Sequence, residues 1–152
     1  MKLAEGLIRR ADYQKRAEQL KHRLLNIARI QEGEKPFESP QELENELGEV
    51  LKELKDLMSR INRTNHQTAF DDELSLGDAL IKREILAKER KVYSDLAEQA
   101  ATRQDRYSRT EIKYVTPFNV KDLQKKVDDL AKQYREVDTK IQELNWLTDL
   151  SE

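Results

Sequence analysis

Cysteine is absent from this 152-residue chain, which removes disulfides, thiolate metal sites and cysteine nucleophiles together. Proline occurs three times and glycine four times, and the glycines make no phosphate-loop pattern. No apolar run approaches the roughly 18 residues needed to cross a bilayer, and the mean hydropathy is -0.91. An excess of one charge is missing as well. Charged residues make up 38% of the chain, yet the net charge is only -2, so acidic and basic groups are interleaved on solvated surfaces. Neither a basic nucleic-acid domain nor an acidic tail fits a pI near 5.9.

What remains is helical periodicity. Val120, Leu123, Val127, Leu130, Tyr134, Val137, Ile141 and Leu144 recur at 3-4 spacing without an intervening charge in the stripe, the pattern of a long helix with a coiled-coil seam. Three further segments carry such stripes. Leu3, Leu7, Tyr13, Ala17, Leu20, Leu24 and Ile27 form the first, interrupted by Arg10 and Gln14. Leu43, Leu47, Val50, Leu54, Leu57 and Ile61 form the second, with Leu51 and Met58 widening it towards a second neighbour. The third is the broadest: Ala79, Ile81, Ile85, Leu86, Val92, Tyr93, Leu96, Ala97 and Ala100 predict the most enclosed helix.

Capping residues place the boundaries. Ser39-Pro40 with Glu42, Ser75 with Asp78, and Asn119 with Asp122 each set a side-chain oxygen before an acidic third position. The expected helices are about 2–30, 40–64, 76–101 and 119–147, within a single domain covering 1–152. The fold class is mainly α: four long helices in an antiparallel bundle or coiled-coil arrangement. Short β segments are expected in the connections at 67–75 and 111–115, the second because Glu111-Ile-Lys-Tyr-Val alternates.

Two polar clusters are candidate sites. The third connection interleaves Arg103, Arg106, Arg109 and Lys113 with Tyr107 and Tyr114, and cations among aromatics suit phosphates and bases. The structural alternative is that these arginines complement the negative end of the third helix and pair with Asp105 and Glu111. An up-down arrangement also brings Asn62, Arg63, Thr64 and Asn65 towards Asn145, Trp146 and Thr148, a candidate pocket of neutral hydrogen-bonding groups against an indole wall. The same residues serve equally as helix caps and packing.

Catalytic chemistry finds no footing. Neither histidine lies three residues after a glutamate, as a di-iron bundle requires, and by helical phase His22 points away from its apolar face. Asp71-Asp72-Glu73 lacks calcium-loop spacing. No serine elbow or phosphate loop is present. No catalytic residue, metal or cofactor is therefore expected.

Asn62-Arg-Thr-Asn, Asp78-Ala-Leu with Arg83, Arg103-Gln-Asp-Arg-Tyr-Ser, Glu111-Ile-Lys and Asn145-Trp146 together resemble, along essentially the whole chain, a family of small bacterial proteins, some labelled septicolysin. The resemblance implies no reaction, substrate or catalytic residue. The label implies a pore-forming toxin, but the chain lacks a strictly alternating membrane-insertion segment. Its first residues, where Glu5, Arg9 and Arg10 interrupt Leu3, Leu7 and Ile8, do not make a signal peptide, so a cytoplasmic protein is expected. The leading expectation is a homo-oligomer acting through protein contacts, with the fourth helix as the seam. A nucleic-acid or anion-binding module using the basic connection is the alternative, and no membrane partner is expected.

Overall fold

The computed structural model describes residues 1–102 and 112–152 and consists of four helices: α1 (Leu3–Asn26), α2 (Pro40–Gln67), α3 (Leu76–Ala101) and α4 (Val120–Leu147). At about 1.5 Å per residue each spans roughly 36–42 Å.

The caps act as their residue types require. Ser39 accepts from the Glu42 amide at the start of α2. Ser75 and Asp78 exchange backbone and side-chain bonds in a complete capping box on α3, and Asn119 accepts from the Asp122 amide on α4. α1 starts differently, with the Lys2 amide held by the Glu5 carboxylate at 2.7 Å. It also ends at Asn26 rather than Ile30, because the amides of Ile27 and Ala28 bond only three residues back before Gly33, at φ 87°, turns the chain. α2 runs on to Gln67, past the expected end at 64.

α1 packs chiefly on α2, and α3 chiefly on α4, with slimmer contacts of α1 with α4 and α2 with α3. Arg16 with Glu46, and Arg23 with Glu38, show that α1 and α2 run in opposite directions. Arg83 with Asp138, and Lys126 over the ring of Tyr93, show the same for α3 and α4. A core shared by all four helices contains Leu3, Leu57, Ile61, Leu76, Ala79, Leu86, Leu130, Val137 and Ile141, together with Phe70 and Leu150. Leu20, Leu43 and Val50 form a separate cluster within the first helix pair. Burial therefore concentrates where both pairs meet, and each pair closes its outer part on itself.

The chain ends are tied at that meeting point. Leu3 N–H donates to the Thr148 carbonyl and Leu150 N–H to the Met1 carbonyl, both at 2.9 Å. Lys2 adds an ion pair to Asp149 at 2.8 Å. Gly6 permits the closeness, since a Cβ there would sit 3.0 Å from a Leu150 methyl.

The expected β segments do not form among the described residues. Ala69 and Ser75 make one isolated antiparallel bridge, and 112–115 carry no strand. The reason at 67–75 is local: Asp71 accepts from the Glu73 and Leu74 amides at 2.8 and 2.6 Å, tightening the segment into a turn too short for a ladder. Phe70 anchors this turn in the core beneath the Lys140 ammonium, 4.5 Å from the ring centroid.

Candidate functional site

The structure distributes the sequence candidates unevenly. Arg103, Arg106, Tyr107 and Arg109 of the basic connection lie outside the described residues; Lys113 is exposed. Of the polar-pocket residues, Asn145 is buried and Asn65 half-buried, while Asn62 and Arg63 face solvent and Trp146 is 56% exposed.

The residue of that motif with a defined task is Thr64. Its hydroxyl donates to the Arg60 carbonyl at 2.8 Å and accepts from the Ser151 amide at 2.9 Å. The Arg60 guanidinium completes the clasp with a 2.8 Å bond to the Ser151 carbonyl. Thr64, with Arg60, accordingly holds the tail following α4, a structural role that satisfies part-buried backbone groups.

A cleft of about 420 Å³ opens between the helix pairs, lined by Arg10 of α1, Leu80, Arg83, Glu84 and Ala87 of α3, and Tyr134 of α4. Arg10, one of the two residues that interrupt the apolar stripe of α1, is half-buried here. Arg83 is committed to Asp138 at 2.7 Å. With an acidic Glu84 in the lining, the cleft is of mixed charge and selects no ligand sign. Among the described residues no group of three or more histidine, aspartate or glutamate side chains has the geometry to hold a metal ion.

The seam of α4 is consumed within the chain. Leu123, Leu130, Val137 and Ile141 are buried and Val127, Tyr134 and Leu144 half-buried, so this stripe is not a free surface for another copy. α3 departs from expectation in the opposite sense. Ala79, Leu86 and Ala97 are buried against the neighbouring helices, but Ile81, Ile85 and Val92 are 61%, 54% and 62% exposed. α4 covers one side of α3 and α2 meets it only slightly, so the widest apolar face in the sequence is left half uncovered. Leu51 and Met58 of α2 likewise gain no second neighbour, at 46% and 42% exposure. Three β-branched side chains on one outward helical stripe are the most distinctive unpartnered feature among the described residues.

Residues 10–150 match the model of a family of unknown function, DUF6847, and the chain belongs to that family. It is similar to a functionally unknown conserved protein from Corynebacterium diphtheriae whose crystal structure is known, with 48% identity over 99% of both chains and a TM-score of 0.93. No curated protein matches it.

Proposed function

We propose that this protein is a non-catalytic interaction or structural protein that works by self-association, with the outer face of α3 as its contact surface. The observation that carries the reading is the exposure of Ile81, Ile85 and Val92 on one stripe of a helix whose opposite stripe is buried. Ile81, Ile85 and Val92 would be withdrawn from water in each copy, at about 25 cal/mol per Å² of apolar area. The interleaved charges around the stripe keep the separate chain dispersed, so association is specific rather than a general loss of solubility. No helix of the described residues is long and apolar enough to cross a membrane.

Sedimentation velocity over a series from low to high micromolar protein tests it. A sedimentation coefficient that rises with concentration towards that of a dimer is the expected result; a monomer throughout the series overturns the reading.

A further inference from the structure

We infer that two copies pair through α3 in antiparallel orientation, about a two-fold axis passing between Ile85 and Lys88. This rests on the self-association reading above and names its geometry. Ile81, Ile85, Lys88 and Val92 follow one another at intervals of four, three and four, the spacing of a coiled-coil seam. They lie on a different side of the helix from Ala79, Leu86 and Ala97, which are buried against the rest of the chain. Antiparallel pairing sets Ile81 against Val92 of the second copy and Ile85 against Lys88.

The charges beside this seam decide the partner and the direction. Lys82 and Glu89 flank it on one side, Glu84 and Lys91 on the other. In an antiparallel pair each flank meets its own counterpart in reverse order. Lys82 then faces Glu89 of the second copy, and Glu84 faces Lys91, so all four cross-pairs join opposite signs. Parallel pairing in register places Glu84 beside Glu89 of the second copy twice and leaves both lysines without an acidic partner across the seam. Self-complementarity of this kind belongs to a two-fold contact between identical surfaces.

Lys88 interrupts the apolar seam, and its ammonium already lies 3.4 Å from Glu84 on its own helix, at the edge of the stripe. Its stem can cover Ile85 of the second copy while the charge stays in water. A single lysine in a seam fixes register at some cost in affinity. With a seam of only about 16 Å, the dimer belongs with small interfaces that dissociate on dilution.

Two double variants test the pairing by sedimentation equilibrium. Lys82→Glu with Lys91→Glu makes all four flanking positions acidic, and Glu84→Lys with Glu89→Lys makes them all basic. Each variant alone is expected to dimerise about ten-fold or more weakly than wild type, through four juxtaposed like charges. An equimolar mixture of the two regains wild-type affinity, as does the chain carrying all four substitutions, which also shows that they are compatible with folding. If wild type dimerises while both variants dimerise equally well and show no preference for each other, the α3 pairing is overturned and self-association stands. If the mixture stays as weak as its components, the α3 pairing is overturned; if each variant dimerises as well as wild type yet the two prefer each other, as parallel pairing gives, the antiparallel orientation is overturned. A wild type that is monomeric throughout overturns both readings.

Discussion

Arg83 of α3 and Asp138 of α4 are joined by a 2.7 Å hydrogen-bonded ion pair beside the cleft that Arg83 lines with Arg10 of α1. About 28% and 35% of the two side chains remain accessible, so solvent screens the attraction. Gln142 reaches the same carboxylate oxygen at 3.4 Å. Replacing either partner by alanine is expected to cost about 1 kcal/mol, and a double-mutant cycle on urea midpoints should return a coupling of that order. Additive single costs would show the pair to be energetically idle.

Thr64→Val keeps the side-chain shape and removes the hydroxyl between Arg60 and Ser151. The Ser151 amide then loses its partner, at about 1–2 kcal/mol. Hydrogen exchange reads this locally: faster exchange at Ser151 and Leu150, with α2 otherwise unchanged, is the expected pattern. Unaltered protection of both amides would show that the clasp does not hold the tail.

The glycines of α1 and α2 should respond in opposite ways. A Cβ at Gly48 meets nothing within 4 Å, so Gly48→Ala is expected to stabilise by about 1 kcal/mol through helix propensity alone. At Gly6 the same gain is offset by a 3.0 Å approach to Leu150, which must move within the shared core. Thermal unfolding should place Gly6→Ala below Gly48→Ala by about 2–4 °C or more.

Acid sensitivity should come partly from three surface carboxylates, Glu38 among them half-buried, held below their ordinary range. Bonds from the Leu74 and Glu73 amides do this for Asp71, the Arg23 guanidinium for Glu38, and the Lys2 ammonium for Asp149. A depressed folded pKa means that their contribution is present at neutral pH and fades as the pH falls below about 4 towards the lower folded value. Asp71→Asn removes one share of it. The stability difference between wild type and this variant should therefore shrink as the pH is lowered through that range, measured by urea midpoints; a constant difference would assign the effect to shape instead of charge.

Much of the fold was legible because it is local. The 3-4 stripe of α4 and the capping residues Ser39, Ser75 and Asn119 each depend on neighbours within a turn of helix, and the helix and the three caps form where that spacing places them. Partner assignment was not legible. The breadth of the apolar face on α3 predicts enclosure, yet it divides into an inner stripe that meets the chain and an outer one at Ile81, Ile85 and Val92 that does not. Periodicity reports how many faces are apolar without saying who covers them. The clasp of Thr64 on Ser151 joins residues 87 apart in sequence and leaves no periodic trace. The offset of the outer stripe, four-three-four from Ile81, was present in the sequence and separates the two faces once the inner one is known.

The absence of native cysteine makes the central contact directly measurable. Chains bearing Ile81→Cys and chains bearing Val92→Cys, oxidised gently as a mixture and separately, report which positions face each other, since a disulfide needs Cα atoms within about 7 Å. Covalent dimers in the mixture, with few in either separate sample, are expected for antiparallel α3 pairing. Efficient cross-linking of each variant with itself, or none in the mixture despite dimers in solution, would contradict it.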